Sequence, residues 1–174
     1  MTRVQDRGFT LIELLIVVAI ISVIAGMAVP GLMRARATAN EGSAIAALNT
    51  TASSQVSYST SCGYGGFASG YLILGASPSP ETPPFISADL GLSATPHKSG
   101  FNLAMTAGTS GPGANDCAGR PTNGGFYATA TPMTFGSTGN RSFSINSSAT
   151  IWQSTTGVPP PEPLTVTATT IPVR

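Results

Sequence analysis

One carboxylate inside an apolar stretch constrains this chain more than any other feature. Residues 9–29 read FTLIELLIVVAIISVIAGMAV, apolar throughout except for small and hydroxyl side chains and Glu13. As a helix rising about 1.5 Å per residue, this run spans roughly 30 Å, the thickness of a bilayer's hydrocarbon core. An ionised carboxylate in that core costs about 2.5–3.5 kcal/mol even on lenient insertion scales. An anchor alone would have Leu at this position, so Glu13 calls for a partner that is cationic or a strong hydrogen-bond donor.

A polar leader, residues 1–8, precedes the run and contains Arg3, Asp6 and Arg7. A cut between Gly8 and Phe9 would create an α-amine four residues before Glu13, within reach along one helix. A better pairing sets the amine of one subunit against Glu13 of the next. Each buried charge is then neutralised only on assembly, which couples polymerisation to relief of a desolvation penalty.

The string RGFTLIELLIVVAII, with Pro30, Arg34 and Arg36 after it, closely resembles the prepilin N-terminus of type IV pilins and type II secretion pseudopilins. The resemblance implies that a membrane-embedded aspartyl peptidase cuts after Gly8 and methylates Phe9. It implies that Glu13 serves methylation and subunit docking, and that the segment around Pro30 unwinds on assembly. The likeness extends from residue 7 to about residue 60, where ANEGSAIAALNTTASSQVSYS resembles the helix that continues into a pilin head. Beyond that it rests on a general pattern of Gly-rich loops and short strands.

Simpler readings fit less well. A secretory signal peptide has an apolar stretch of about 7–15 residues and a small-residue cleavage site. This run is longer, carries a glutamate, and offers only Ala25-Gly26-Met27-Ala28 as such a site. A plain signal anchor leaves Glu13 unexplained. A core helix of a soluble protein would not be apolar on every face.

Only 9% of the 174 residues are charged, and the net charge is +1. Losing the leader removes two of eight basic and one of seven acidic side chains, leaving six of each. No basic patch marks a nucleic-acid binder. The surface must be Ser, Thr, Asn and Gly, which suits a subunit packed among copies outside the cell. Asn49, Asn140 and Asn146 head glycosylation-type triplets, which arise by chance in so Ser/Thr-rich a chain.

Cys62 and Cys117 lie on the same side of the apolar run. If that run spans a membrane, both leave the reducing compartment together and a disulfide is expected over two free buried thiols. The bridge would stabilise the head by about 4 kcal/mol in the chain-entropy model. Two cysteines and the lone His97 make no metal-ligand cluster. Asp89 and Asp116 are candidate Ca²⁺ ligands with loop carbonyls, although isolated carboxylates in such loops are more often simply solvated. No cofactor is otherwise expected. Neither a GxSxG elbow nor a P-loop occurs, so the chain reads as the peptidase's substrate, not a catalyst, and any motor is a separate protein.

The fold expected is α+β and pilin-like. A leader (1–8) precedes a transmembrane and assembly helix (9–29) and an amphipathic continuation (30–60). A β-rich head (61–156) and a Pro-rich flexible tail (157–174) follow. The helix should run from about residue 9 to about residue 58, roughly 75 Å, with Ile45, Leu48, Ala52 and Val56 marking its inner face. Pro30 should kink or locally melt it; Gly26 and Gly42 are weak points. Residues 76–85, ASPSPETPPF, read as a surface loop. Alternation around Phe101, Phe126, Phe143 and Trp152 predicts three or four antiparallel strands. Five prolines keep the tail out of a central strand; if any of it pairs at an edge, residues 164–167 are the candidates, and disorder is otherwise expected.

The function expected is that of a structural subunit of a type IV pilus-like filament. A type II secretion pseudopilin is the alternative, and a non-polymerising signal-anchored envelope domain the rival outside the family. The resemblance implies as partners the prepilin peptidase, like subunits, an inner-membrane platform protein and an assembly ATPase. It implies a precursor in the inner membrane, with a cytoplasmic N-terminus and periplasmic head. Arg3 and Arg7 on one side and Arg34 and Arg36 on the other leave only the free amino terminus to tip the charge count that way.

Overall fold

The structure, a computed structural model, describes residues 9–173; the leader and Gly8 lie outside the described residues. The chain forms two compact units, Met1–Arg36 and Ala37–Arg174, with the boundary inside one long helix, α1 (Leu11–Ser61).

In the first unit α1 is apolar all round. Ile12, Leu15, Ile20 and Val23 are each more than half exposed, and so are Leu32 and Met33 beyond the expected span. The helix is long and apolar enough to cross a membrane. It runs through Pro30 and Gly31 as unbroken helix, without the local melting the sequence suggested. Proline removes one N–H from the ladder, but its neighbours hold helical geometry on either side.

In the second unit the same helix is amphipathic; of the expected inner face Leu48 and Ala52 are buried, but the buried stripe runs through other positions as well. The centre of the buried stripe is Ala37, Glu41, Ala44, Leu48, Thr51, Gln55, Tyr58 and Cys62, alternating four- and three-residue steps, with Ala47, Ala52 and Ser54 buried beside it. Ile45 is only half-buried and Val56 is 55% exposed, so neither belongs to the inner face. Three positions on the true stripe are polar, which hid it from hydrophobic periodicity.

The stripe packs with an antiparallel six-stranded sheet, larger than expected. Its strands are β1 (His97–Lys98), β2 (Phe101–Ala107), β5 (Phe126–Pro132), β6 (Ser142–Asn146), β7 (Ile151–Ser154) and β8 (Thr170–Pro172). The longest four are those the alternation pattern marked; β1 and β8 are short edges too brief to show a period. Register pairs Leu103 with Ala130 and Ala128 with Ile145, which brings the inward residues of neighbouring strands into rows. Phe101, Leu103, Phe126, Phe143 and Ile145 join Leu48 and Tyr58 in a core closed to solvent. A small hairpin, β3 (Pro112–Asn115) with β4 (Pro121–Asn123), forms a separate sheet. Two short helices, α2 (Tyr71–Gly75) and α3 (Ala88–Gly91), flank the exposed Pro-rich loop.

The tail is fastened to the sheet. Its paired segment is β8, not residues 164–167. Upstream of β8, the Tyr127 hydroxyl donates to the Pro160 carbonyl. Glu162 accepts from the Thr109 amide at 3.2 Å and from Asn146 Nδ2 at 3.0 Å. Tyr127 and Asn146 are cross-strand partners on the face away from α1, so the proline run lies across the outer face. Prolines excluded from a central strand are well suited to cover one, since they need no backbone donor. At the edge itself Thr167 accepts the Thr170 amide and donates its own to the Thr170 carbonyl, and Pro172 has no N–H. That edge therefore offers little to another strand.

Candidate assembly segment

The first turn of α1 brings Glu13 back onto Thr10. Glu13 Oε2 accepts from the Thr10 amide at 2.9 Å and from Thr10 Oγ1 at 2.8 Å. The Glu13 amide in turn donates to Thr10 Oγ1 at 3.3 Å. This reciprocal arrangement is a capping box, which satisfies amides that would otherwise be orphaned at a helix start. The T-x-x-E spacing carries that signal, and the sequence reading passed over it by treating Glu13 only as a charge seeking a cation. Thr10 thus supplies two local donors to the carboxylate within the single subunit. Phe9, one residue earlier, is 85% exposed, and the scissile partner Gly8 lies outside the described residues.

Four polar rungs bind the head's segment of α1 to distant parts of the chain. Glu41 takes Arg141 Nη2 at 2.6 Å and the Asn140 amide at 2.7 Å. The Thr51 and Tyr71 hydroxyls meet at 3.1 Å. Gln55 forms two bonds with the Ala68 backbone, at 2.8 and 2.9 Å, as a side chain imitating a strand neighbour. The Tyr58 hydroxyl donates to Asp116 at 2.7 Å. Asp116 also accepts from the Ala118 and Arg120 amides and from Arg120 Nε at 2.8 Å. Burial works to raise the Asp116 pKa, but these donors outweigh it and hold the group below its ordinary value. Burial, then the bond to Asp116, pushes Tyr58 up; burial pushes Tyr71 up to about 12.

The disulfide sits beside the last rung, joining Cys62 just past the end of α1 to Cys117. The Cys117 amide donates to the Cys62 carbonyl at 2.8 Å, so bridge and backbone bond close together. Cys62 and Gly63 amides return to the Tyr58 carbonyl and complete the helix end.

The two carboxylates considered for calcium belong to separate clusters. Asp89 is paired with Lys98 at 2.7 Å and accepts from Ser87, while Asp116 is enclosed as described. Among the described residues no three His, Cys, Asp or Glu side chains gather to hold a metal. His97 Nδ1 is engaged by Asn102 Oδ1 at 2.6 Å.

Residues 3–29 match the family model described as the prokaryotic N-terminal methylation motif. Over 52 residues the chain is 48% identical to the type IV wide pilus major component PilA4 of Thermus thermophilus. The match takes in 30% of this chain and 40% of that protein, so it spans less than half the relative's length. No solved structure matches the chain. The motif followed by a half-apolar, half-packed helix and a small antiparallel sheet defines a prepilin-type α+β protein. The chain thus carries a prepilin-type methylation motif and, over 52 residues, is similar to a type IV pilus component.

Proposed function

We propose that this chain is a subunit of a type IV pilus-like filament, matured by cleavage after Gly8 and polymerised from the inner membrane. The observation that carries the reading is the first unit of α1. Its apolar side chains are exposed all round, and its carboxylate closes the capping box that Thr10 opens. Lipid covers such a surface in the precursor; neighbouring helices cover it in a filament. Removing the leader frees the Phe9 amine next to the Thr10–Glu13 cap. On docking, that amine from one subunit joins the Glu13 carboxylate of another, fixing register while helix contacts replace lipid. A prepilin peptidase, a platform protein and an ATPase act on the chain in this scheme, with its head periplasmic before assembly. The printed name of the Thermus relative, a wide pilus major component, favours a surface pilus over a secretion pseudopilus.

The test is intact mass and N-terminal sequencing from native membranes, paired with filament yield. A chain beginning at methylated Phe9, and loss of filaments in Glu13→Ala and Glu13→Lys, is the expected result. A chain still beginning at Met1, or normal filament yield from both variants, defeats the proposal. Filaments confined to the periplasm would assign the chain to the pseudopilins instead.

A further inference from the structure

Glu81 stands on a built turn in the exposed Pro-rich loop between α2 and α3. The Thr82 amide donates to the Ser79 carbonyl at 3.1 Å, and the two hydroxyls meet at 2.8 Å. Pro80 takes the second position of that turn and Glu81 the third. Proline at that position fixes the backbone before any partner arrives. The far end of the loop is held by the Phe85 and Ile86 amides, which donate to the Leu74 carbonyl at 2.9 and 3.3 Å. Glu81 is exposed, and among the described residues it accepts no hydrogen bond and meets no cation. The other described carboxylates are all engaged. Glu41, Asp89 and Asp116 hold cations, Glu13 holds Thr10, and Glu162 holds Thr109 and Asn146. Two exposed leucines belong to the same pair of short helices: Leu72 in α2, 51% exposed, and Leu92 just past α3, 78% exposed.

We propose that this loop docks on α1 of a second copy of the chain, with Glu81 set against Arg36 of that copy. The inference rests on the filament reading, which brings copies together. Charge complementarity selects the occupant. Arg36 is exposed and holds no carboxylate among the described residues, whereas Lys98, Arg120 and Arg141 are each paired. Leu32 and Met33, 53% and 57% exposed, precede Arg36 by four and three positions and so share its face of the helix. The helix thus offers a cation with two aliphatic side chains, and the loop a carboxylate with two leucines. Each copy gives its loop to one neighbour and its helix to another. Such a contact is heterologous, and it propagates as an open filament where the rotation does not close. An exposed ion pair adds little affinity. Its effect is on register, because a like-charged alignment is rejected, while helix packing holds the copies together.

The test is charge exchange in the full chain, read as filament yield, with intact mass confirming a start at Phe9 and a closed Cys62–Cys117 bridge. Glu81→Arg and Arg36→Glu each set like charges together, and each alone should lower the yield roughly tenfold. Both substitutions in one chain should assemble again. So should the two variant chains expressed together, since every contact between unlike copies then carries opposite charges. Native yield from either single variant overturns the contact. Losses that neither the double variant nor co-expression repairs overturn Arg36 as the partner, and the proposal with it. Repair by the double variant but not by co-expression places the pair inside one subunit and overturns the contact between copies. A native chain that forms no filaments defeats the filament reading itself, an outcome distinct from all of these. If a charge reversal blocks cleavage after Gly8, chains carrying Glu81→Cys and Arg36→Cys are expressed together instead. A disulfide joining the unlike chains in isolated filaments supports the contact, and its absence overturns it.

Discussion

Glu41 and Arg141 meet across 100 positions of sequence: Arg141 Nε and Nη2 both donate to Glu41 Oε2, at 2.9 and 2.6 Å. Glu41 is nearly closed to solvent, while a third of the Arg141 side chain remains open. The pair ties the head's first helical turn to the start of β6, and Arg141 Nη1 reaches on to Gln153 in β7 at 2.7 Å.

Removing one partner leaves a buried carboxylate without its cation, which costs about 3–5 kcal/mol in a dry site. Partial solvation of Arg141 lowers that figure, so Arg141→Ala is expected to destabilise the head by about 2 kcal/mol. Glu41→Leu with Arg141→Met should recover most of the loss, since an apolar pair of similar volume avoids the desolvation cost. Urea unfolding of the full chain in detergent, read by near-ultraviolet circular dichroism, checks both; a double variant worse than the single would contradict this account.

That rung also marks what the sequence could and could not reveal. The apolar half of α1, the Cys62–Cys117 bridge and the four longest strands were legible in hydropathy, in the pair of cysteines and in alternation. The inner stripe was not, because Glu41, Thr51 and Gln55 read as solvent-facing until their partners arrive from Arg141, Tyr71 and Ala68. No local pattern announces partners 100, 20 and 13 residues away. Val56 erred in the other direction: an apolar side chain on schedule in the period, left exposed because nothing in the head reaches it. The tail was misplaced for a related reason. Its prolines rule out a central strand but say nothing about Tyr127 and Asn146, which hold Pro160 and Glu162 over the outer face.

The disulfide closes a loop of 55 positions. The chain-entropy model gives about 4 kcal/mol for a loop of that size, a large share of the stability of so small a head. Cys62→Ser with Cys117→Ser, or reductant on the native chain, should lower the denaturation midpoint by that equivalent. An unchanged midpoint after verified reduction would show that the Tyr58–Asp116 rung and the Cys117–Cys62 backbone bond hold the end of α1 without the bridge.

This rung and the Thr51–Tyr71 one set a pH profile. The Asp116 pKa is lowered in the folded state, so its contribution is complete above the unfolded value of about 4 and is lost as pH falls through the folded one. Tyr58 and Tyr71 are raised, so theirs is complete below the unfolded value of about 10 and is lost as pH rises beyond it. Stability should therefore be flat between these limits and fall on either side. Asp116→Asn should flatten the acid limb and lower the plateau, as measured by thermal melts across pH; an unchanged acid limb would remove Asp116 from the explanation.

Two glycines on short helices should respond oppositely to a third on α1. A Cβ at Gly75 would lie 2.1 Å from the Gly91 carbonyl oxygen, and one at Gly91 2.5 Å from the Gly75 Cα. Backbone against backbone leaves no flexible side chain to yield, so Gly75→Ala and Gly91→Ala are each expected to cost about 2–3 kcal/mol. A Cβ at Gly42 meets nothing within 4 Å, and Ala is the better helix former by about 1 kcal/mol. Gly42→Ala should raise the melting temperature of the unassembled subunit. Equal effects at the three sites would mean that the α2–α3 contact is looser than its geometry.

Thr10 makes the sharpest demand on the assembly scheme. Its amide and hydroxyl both donate to Glu13, and its hydroxyl also accepts the Glu13 amide. Thr10→Ala removes the hydroxyl bonds and costs the helix start about 1 kcal/mol, while keeping Glu13 and its charge. Thr10→Ser restores the capping geometry. If the cap aims Glu13 at an incoming amine, Thr10→Ala should lower filament yield with cleavage after Gly8 intact, and Thr10→Ser should return it. If Glu13 acts only as a charge, both variants should assemble like the native chain. Filament yield against intact mass in the same cells separates a docking defect from a processing defect. Amide exchange at residues 11–13 then reports whether Thr10→Ala has frayed the first turn, and only fraying together with lost filaments supports a positioning role for Thr10.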